Sequence, residues 1–308
     1  MDLVSVIIPT YNRCSLLKQA LHSVLSQTYR NLEVMVVDDG STDETSSFIQ
    51  GINDERVTYL KNQRKKGANG ARNTGIEAAT GKYLAFLDDD DQWLPAKVEK
   101  QLNAFNDAMI GLVYTEKKLI EAPYGTEVVI DCPARGDLTE EILVSNLIGT
   151  TSSVMLKREL LEETGYFDEN LPALQDYDLW IRLCEVCRVN YVAEPLILYY
   201  NREGFSQISD DTSKYIYALE EIEKKYKERI ASLPKRQQKN REMNKYFLIA
   251  LKANRNNNPA LSRYYLRKAL AVKIDKKAIF LYLMSFTGYA YFIKLRKLID
   301  SLRKGAAK

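Results

Sequence analysis

The first hundred residues alternate short apolar runs, rich in β-branched side chains, with segments of helical periodicity. Residues 3–9 (LVSVIIP) have the composition of a buried strand, and residues 15–27 place leucine, valine and alanine on one helical stripe. Repeated alternation of this kind predicts an α/β fold with a mostly parallel, doubly wound sheet. The pattern predicts, in chain order, a strand at 3–9, a helix at 15–27, a strand at 33–39, a helix ending near residue 50, a strand at 57–60, a helix at 68–79 and a strand at 82–88.

Four consecutive carboxylates, Asp88 to Asp91, coincide with the end of the last of these strands. Anions gathered at a strand end repel one another unless a cation neutralises them. Carboxylate oxygens bind Mg²⁺ or Mn²⁺ and leave coordination positions open for phosphates. The alternative is a solvated acidic turn in which Asp91 caps the next helix. Ligands of doubly wound sheets bind beyond the carboxyl ends of the strands, so the position of the run favours a site.

The ends of the first two strands also carry polar and aromatic groups. Pro9 and Tyr11 lie at the end of the first strand, and Asp38 and Asp39 end the second. Tyr11 offers a ring on which a base can stack, and Asp39 offers an acceptor for a base N–H or a ribose hydroxyl. The alternatives are a packed turn aromatic for Tyr11 and helix caps for the two aspartates. The first strand–helix turn, PTYNRC, lacks Gly-x-Gly-x-x-Gly, which excludes an ordinary dinucleotide site.

Two later segments are expected to reach the same crevice. In residues 67–75 (GANGARNTG), Arg72 and Asn73 are predicted to face the crevice, and Gly75 is predicted to allow close packing of a helix. Asp176 lies at the start of a further predicted helix. A carboxylate at that position either caps the helix or acts as a general base delivered into the crevice.

Four ordered motifs within residues 3–200 resemble those of family 2 glycosyltransferases of the GT-A fold: VSVIIPTYNR, VVDDGSTD, ARNTGIEAATGKYLAFLDDDDQW and QDYDLWIRL. The resemblance implies that Asp176 is the catalytic base, although Gln175 precedes it where the family often has Glu. It also implies a metal at Asp90, the last carboxylate of a D-x-D element that begins at Asp88. The donor-binding residues that it implies are Pro9, Tyr11 and Asp39 at the nucleoside, Arg72 near the base, Asp89 at the ribose or sugar, and Asp38 and Asp88 beside them.

The same resemblance implies inverting transfer of a sugar from a nucleoside diphosphate, with UDP-sugars favoured, to a hydroxyl of a glycan or lipid-linked acceptor in polysaccharide synthesis. Mn²⁺ or Mg²⁺ would be the cofactor, and the base would take the acceptor proton in a single displacement. Two other interpretations stay open. One is a metal-dependent nucleotidyltransferase or nucleotide-sugar hydrolase, and the other is a non-catalytic scaffold in a polysaccharide-assembly complex.

Histidine and cysteine content excludes several kinds of site. His22 is the only histidine, so a His-rich metal site is excluded and a Ser-His-Asp triad would depend on that one residue. The 4 cysteines do not make a disulfide scaffold, and with no N-terminal signal peptide they favour a reducing cytosol. Cys184 and Cys187 form a lone Cys-x-x-Cys, which is more typical of buried helical cysteines than of a zinc site. The expected location is the cytoplasm, either free or at the inner face of the cell membrane.

The net charge of +3 conceals two oppositely charged parts. Before Lys214 there are 20 basic and 34 acidic residues, and from Lys214 onward there are 24 basic and 7 acidic residues. The composition changes near residue 210 to Lys-rich and Tyr-rich helical segments, with breaks near Pro234 and at 256–259. We therefore predict a GT-A catalytic domain at 1–210 and a basic helical region at 211–308.

The basic region is predicted to contact an anionic membrane surface. Residues 278–293 are uncharged and flanked by lysines, but the segment is shorter than the ~20 residues needed to cross a bilayer. It is predicted to lie in the membrane interface, with an internal helical hairpin as the alternative. A nucleic-acid partner is not expected, although charge alone does not distinguish phosphate polymers from phospholipids.

Overall fold

The computed structural model describes residues 1–121, 125–131, 133–201 and 210–286. The strands in these ranges are β1 (Val4–Thr10), β2 (Leu32–Asp38), β3 (Val57–Lys61), β4 (Tyr83–Phe86), β5 (Gln92–Trp93), β6 (Ile110–Glu121), β7 (Thr126–Ile130), β8 (Val154–Lys157) and β9 (Arg188–Asn201). They form a single sheet in the order β3-β2-β1-β4-β8-β6-β9-β5, with β7 paired to β6.

Helices alternate with the strands, and the first three, which follow β1, β2 and β3, do so in the order that the sequence predicts. They are α1 (Cys14–Leu25), α2 (Thr45–Gln50), α3 (Ala68–Ala78), α4 (Lys97–Ala104), α5 (Glu141–Val144), α6 (Leu160–Thr164), α7 (Gln175–Val186), α8 (Thr212–Lys225), α9 (Lys227–Ser232), α10 (Lys235–Arg255), α11 (Pro259–Val272) and α12 (Lys276–Met284). The two predicted breaks fall between α9 and α10 and between α10 and α11, where Pro234 and the 256–259 segment interrupt the helices.

The first four strands form the parallel part of the sheet. β1 pairs in parallel with both β2 and β4, and β2 pairs in parallel with β3. Val6 and Ile8 of β1 pack in the same cluster as Leu17 and Leu21 of α1, whereas Ile7 packs in a second cluster that includes α3. Successive side chains of a strand point to opposite faces, so helices cover both faces of the sheet. The predicted doubly wound α/β arrangement is confirmed.

Beyond β4 the sheet is mixed. β8 runs antiparallel to β4 and β6, while β9 runs parallel to β6 and antiparallel to β5. The sequence pattern of residues 138–144 predicts a helix over the whole segment, but α5 covers only Glu141–Val144, because Asp137 accepts hydrogen bonds from the N–H and hydroxyl of Thr139 and forms a turn there. The apolar run SSVML at 152–156 predicts a strand, but β8 begins only at Val154, because Thr151–Ser153 forms a short 3-10 helix.

Gly75 allows α3 to pack directly on the parallel strands, as predicted. A Cβ atom at this position would lie 2.6 Å from Ile7 Cγ2 and 3.2 Å from Val37 Cγ2. Contacts this short would push the helix away from the sheet. The glycine therefore sets the distance between the sheet and the helix that carries Arg72.

The helical region packs against the sheet-containing part of the chain. Ile222 of α8 and Leu233, just after α9, belong to the same buried cluster as the residues of α7. Arg241 of α10 is buried and donates a hydrogen bond to the carbonyl of Leu143. These helices therefore share a core with residues before 210, and the domain boundary at 210 stays a prediction.

The last described helices form a smaller cluster of their own. Ala250 of α10, Leu266 of α11 and Leu281 of α12 pack together, whereas Ile279 and Leu283 of α12 are 40% and 61% exposed. Residues 287–293 of the uncharged segment lie outside the described residues. Within the described ranges, no helix combines the length and the apolarity that crossing a bilayer requires.

Candidate active site

The carboxyl ends of β1, β2 and β4 meet at one edge of the sheet. Thr10 at the end of β1 lies opposite Asp38 at the end of β2, and Phe86 at the end of β4 lies opposite Ile7 of β1. The run from Asp88 to Asp91 therefore emerges beside the loops that follow the first two strands. This edge is where a doubly wound sheet binds its ligands.

The four consecutive carboxylates differ in burial. Asp89 and Asp91 are 4% and 1% exposed, whereas the side chains of Asp88 and Asp90 are partly exposed. Asp91 accepts a hydrogen bond from Ser152 Oγ at 2.6 Å and does not lie at the N-terminus of α4. The alternative of a solvated acidic turn in which Asp91 caps a helix is therefore wrong.

Asp89 links the carboxylate run to β1 and the loop after it. Its oxygens accept hydrogen bonds from Thr10 Oγ1 and Arg13 Nη1, both at 2.9 Å. Burial raises the pKa of Asp89 to about 6, although the charge of Arg13 acts in the opposite direction. Both carboxylate oxygens of Asp89 therefore accept hydrogen bonds from protein donors in this structure. Contact of Asp89 with a ribose or sugar stays a prediction.

Asp88 and Asp90 are the residues whose carboxylates fit a divalent cation. Asp88 Oδ1 accepts a hydrogen bond from Arg72 Nη2 at 2.6 Å and another from Thr151, and Asp90 Oδ2 lies 3.4 Å from Arg13 Nη1. In the part of the chain that the structure describes, no group of three or more Asp, Glu, His or Cys side chains could hold a metal. Mg²⁺ is commonly held by one or two carboxylates, with water and substrate phosphates completing its coordination shell. The carboxylates of Asp88 and Asp90 therefore suit such an ion.

Arg72 is a buried cation at the edge of this site. Besides its ion pair with Asp88, its guanidinium lies 5.5 Å from the centroid of the Phe167 ring, and its Nε has no hydrogen-bond partner among the described residues. Asn73 does not share this position, because its amide donates to the Phe167 carbonyl and to Glu169. The expectation that Asn73 faces the crevice is therefore wrong.

Asp38 stabilises the loop after β2, whereas Asp39 accepts hydrogen bonds from the loop between β3 and α3. Asp38 is buried, and its carboxylate accepts the N–H of Ser41 at 2.8 Å and the hydroxyl of Tyr59 at 2.7 Å. It therefore shapes the turn and does not cap α2. Asp39 is partly exposed and accepts a hydrogen bond from Asn62 Nδ2 at 2.6 Å.

Tyr11 and Pro9 differ in exposure. Tyr11 is 44% exposed, and Lys66 Nζ lies 4.6 Å from its ring centroid. The alternative of a packed turn aromatic is wrong for this residue, whose ring is accessible at the edge where the strands end. Pro9 is buried in β1 opposite Val37, and its contact with a nucleoside stays a prediction.

Asp176 lies in the first turn of α7 and is within electrostatic range of the strand-end residues. Its Oδ1 accepts the N–H of Tyr177 at 2.7 Å, so it also serves the helix N-terminus. Burial raises the pKa of Asp176, and the charge of Asp88 adds to the rise, while the Tyr177 N–H, Arg72 and Lys117 act in the opposite direction. A carboxyl group with a raised pKa beside a cation and a second carboxylate is suited to proton transfer.

The structure brings further residues to the site that sequence reasoning missed. Arg13 follows the first strand, within the PTYNR segment. A charge argument could have found it, because four carboxylates expected at the same edge of the sheet need a cation beside them. No comparable sequence signal indicates the remaining cations, which lie outside the four motifs: Lys117, Lys252 and Arg255. Their charges reach the site only through tertiary packing.

Comparison with known proteins identifies a family whose model matches this chain and a similar bacterial protein. The family model for glycosyl transferase family 2 matches residues 5–163. The chain is 34% identical over 185 residues to the Escherichia coli protein UDP-Glc:alpha-D-GlcNAc-diphosphoundecaprenol beta-1,3-glucosyltransferase WfaP, and the match covers 59% of this chain and 70% of WfaP.

Two solved structures have a similar fold. Staphylococcus aureus TarS 1-349 in complex with UDP-GlcNAc matches with a TM-score of 0.57 and 18% identity, over 92% of this chain and 90% of that one. The mannosyltransferase PcManGT from Pyrobaculum calidifontis, in complex with GDP-Man and Mn²⁺, matches with a TM-score of 0.59 and 20% identity, over 96% and 87% of the two chains. These likenesses confirm the predicted GT-A fold class.

Proposed function

The chain belongs to glycosyltransferase family 2, and from this premise we propose that it transfers a sugar from a UDP-sugar to a hydroxyl of a lipid-linked glycan acceptor, with inversion of the anomeric centre. One observation carries the proposal. The Arg72–Asp88 ion pair and the raised-pKa carboxyl of Asp176 converge beyond the carboxyl ends of the parallel strands. These groups could serve a metal-assisted transfer with a carboxylate base.

The residues of the strand ends would bind the donor. The exposed ring of Tyr11 supports base stacking, and the partly exposed Asp39 supports a hydrogen bond to the base or ribose. Pro9, Asp38 and Asp89 would shape this pocket from behind, since all three are buried. UDP is proposed as the nucleotide because WfaP is named for a UDP-Glc donor.

Asp90, together with Asp88, would hold Mn²⁺ or Mg²⁺. A divalent cation bound there would supply positive charge to the diphosphate that leaves the sugar. Arg72 orients Asp88 through the 2.6 Å ion pair and places a fixed positive charge next to the same carboxylate. The complex of the similarly folded PcManGT with Mn²⁺ supports the choice of ion.

Asp176 would act as the base. Its carboxylate takes the proton of the acceptor hydroxyl while that oxygen attacks the anomeric carbon and the bond to the diphosphate breaks. Since Oδ1 already accepts the Tyr177 N–H, Oδ2 is the oxygen proposed to receive the proton. A single displacement of this kind inverts the anomeric centre and needs no covalent intermediate on the protein.

The acceptor is proposed to be lipid-linked because WfaP is named for a diphosphoundecaprenol-linked acceptor. A peripheral position on an anionic membrane would bring the site to such a substrate. Support comes from α12, which begins with Lys276 and Lys277 and exposes Ile279 and Leu283. Apolar side chains next to lysines are typical of helices that lie in a membrane interface.

The test is product analysis with the purified full-length chain. UDP-, GDP- and dTDP-sugars are each incubated with α-D-GlcNAc-diphosphoundecaprenol, in Mn²⁺ and in EDTA. We expect one UDP-sugar to release UDP, to extend the lipid-linked acceptor and to require both acceptor and metal. The anomeric configuration of the product, read by NMR, should be opposite to that of the donor.

Other products would identify the rival functions. Release of pyrophosphate would indicate a nucleotidyltransferase, and release of nucleotide without an extended acceptor would indicate a hydrolase. A chain that neither binds nor consumes any nucleotide sugar would be a scaffold. Product with retained configuration would contradict the single displacement.

A further inference from the structure

We propose that Phe167 and Asn73 are positioning residues for the Arg72–Asp88 ion pair. The ring of Phe167 holds the Arg72 guanidinium in place, and Asn73 of α3 holds Phe167. The inference rests on the proposed function, in which Asp88 and Asp90 hold a divalent cation. It adds two buried residues that act on the metal-binding carboxylate through Arg72.

The hydrogen bonds of Arg72 leave its guanidinium incompletely fixed. Nη2 donates to Asp88 Oδ1 at 2.6 Å, whereas Nη1 donates to Asn69 Oδ1 at 3.5 Å, which is a long and therefore weak bond. Nε has no hydrogen-bond partner in the described ranges of the chain, although the side chain is buried. A guanidinium held by one short bond can turn about that bond, so a further contact is needed to fix its plane.

The ring of Phe167 supplies this contact. Arg72 Cζ lies 5.5 Å from the ring centroid, within the ~6 Å over which a ring face attracts a cation. The same ring forms a T-shaped pair with Phe86, with centroids 5.3 Å apart and an angle of 88° between the ring planes. Phe86 ends β4, two residues before Asp88. Phe167 therefore contacts both the strand that delivers Asp88 and the cation that binds its carboxylate.

Asn73 fixes the backbone of Phe167. Its Nδ2 donates to the Phe167 carbonyl at 2.9 Å, and its Oδ1 accepts the Phe167 N–H at 3.0 Å. The same Nδ2 also donates to Glu169 Oε1 at 2.8 Å. Asn73 and Phe167 are buried, where an unmade hydrogen bond is costly. An amide that bonds both backbone groups of one residue therefore sets the position and the orientation of that residue.

The two contacts come from neighbouring residues of one helix. Arg72 and Asn73 are consecutive in α3, so this helix contacts Phe167 at its ring and at its backbone. Arg72 thereby presents a fixed guanidinium to Asp88, and the carboxylate meets a metal in one orientation. A ligand that is already oriented loses less conformational freedom when it binds, so the affinity for the metal is higher.

The first test alters the charge of the ring and leaves its shape nearly unchanged. Phenylalanine with one, two or three fluorine atoms is incorporated at residue 167 of the full-length chain. Each fluorine withdraws electrons from the ring face and weakens its attraction for a cation. Electron paramagnetic resonance measures Mn²⁺ binding in the presence of UDP, and we expect the affinity to fall with each fluorine, to a total of about tenfold.

The matched control for this series is Phe48, whose ring also carries a cation. Its ring centroid lies 5.0 Å from Lys18 Nζ, between α1 and α2. The same fluorinated residues at position 48 weaken a cation–ring contact that is not part of the proposed site. They should leave the affinity for Mn²⁺ unchanged.

Substitutions test the two residues separately. Phe167→Leu removes the ring and should weaken Mn²⁺ binding about tenfold, and saturating Mn²⁺ should return kcat close to the wild-type value. Asn73→Ala removes both bonds to the Phe167 backbone and should lower both the melting temperature and the affinity for Mn²⁺. The control is Asn190→Ala in β9, which removes an amide that donates to the Ala104 carbonyl at 2.9 Å. It should lower the melting temperature only.

Three results would overturn the proposal. An affinity that stays constant in the fluorinated series would mean that the Phe167 ring only fills space, even if Phe167→Leu weakens binding. A rise in affinity would mean that Arg72 competes with the metal for Asp88. Wild-type affinity in Asn73→Ala, at a lowered melting temperature, would mean that this amide stabilises the fold without positioning Phe167.

The binding measurements also separate this inference from the proposed function. A chain that binds Mn²⁺, responds to the fluorinated series and transfers no sugar would refute the proposed function and leave the positioning role standing. A chain that transfers sugar but does not respond to the series would refute the positioning role alone. Failure of the wild type to bind Mn²⁺ in the presence of UDP would refute both the proposed metal site and the positioning role.

Discussion

At the scale of single residues, burial divides the carboxylate run into two kinds. Asp89 and Asp91 are buried and accept hydrogen bonds from neighbouring side chains, including Ser152, which offset part of the cost of burying a charged group. Burial nevertheless raises the pKa of both carboxyl groups. Asp88 and Asp90 are more exposed and lie where a ligand can reach them. Asp89 and Asp91 thus hold the turn in place, and the greater exposure of Asp88 and Asp90 agrees with the metal-binding role proposed for them.

The proposed roles of Asp176 and Asp90 predict different defects. Asp176→Asn should lower kcat by about 10³-fold, the typical contribution of a general base, and should retain metal-dependent donor binding. Asp90→Asn should lose that binding as well. Calorimetric titration of nucleotide into both variants in Mn²⁺ distinguishes them, and near-normal transfer by Asp176→Asn would contradict the assignment of the base.

The raised pKa of Asp176 predicts an acid limb in the pH profile. A base must be deprotonated, so kcat should fall as the pH drops through a midpoint above ~3.9, the ordinary value for aspartate. Lys117 lowers the pKa of Asp176, and Lys117→Gln should therefore move this midpoint to higher pH. Profiles of kcat for wild type, Lys117→Gln and the control Lys239→Gln test the effect. A midpoint that does not move in Lys117→Gln would contradict it.

At the scale of elements, the position of α7 decides where Asp176 lies. Asp178, two residues later, is 0% exposed and accepts hydrogen bonds from Lys225 Nζ at 2.7 Å, Tyr226 OH at 2.8 Å and Arg182 Nη2 at 2.9 Å. Lys225 ends α8, and Tyr226 follows it directly. This ion-pair network therefore fixes the start of α7 against the helical region.

Removal of the carboxylate from this network should be costly. Asp178→Ala leaves Arg182, Lys225 and Tyr226 without their buried acceptor, and we expect a loss of about 3–5 kcal/mol in the free energy of unfolding. Urea unfolding measures the loss. The control is Glu221→Ala, which breaks an exposed pair with Lys224 and should change stability by less than about 1 kcal/mol. Equal effects of the two variants would contradict the role of the network.

At the scale of the whole molecule, the acidic and basic parts of the chain share one core. Ile222, Tyr226 and Leu233 are buried in the same cluster as Trp180 of α7 and Ile7 of the sheet. The charge difference between the two parts therefore does not mark two independently packed bodies. Packing of the two parts places Lys252 of α10 within electrostatic range of Asp176 and Asp210.

This shared core predicts that residues 1–210 are not stable alone. Deletion of 211–308 would expose the apolar surface that α8 and α9 cover, so the fragment should melt at a lower temperature than the full chain. It should also bind an apolar dye such as ANS. Calorimetry and ANS fluorescence measure the two effects. A fragment that melts at the temperature of the full chain would instead support an autonomous domain at 1–210.

The exposed apolar residues of α12 predict membrane binding. The double variant Ile279→Glu and Leu283→Glu should float less with anionic vesicles than the wild type, because charged side chains oppose insertion into the interface. High salt should weaken flotation of the wild type, since attraction between lysines and anionic lipid is screened. Tyr217→Glu, on the exposed surface of α8, is the control. Equal flotation of wild type and double variant would refute this surface.

Local patterns in the sequence determined the order of strands and helices, the packing glycine at residue 75 and the strand-end position of Asp88 to Asp91. These properties depend on neighbours within a few residues, so periodicity and composition predict them. Only the tertiary structure decided which carboxylates of the run are buried and which cations face Asp176. Long-range packing brings cations that are distant in sequence to these carboxylates. Arg13 lies beside Asp89, and Lys117 and Lys252 lie within electrostatic range of Asp176.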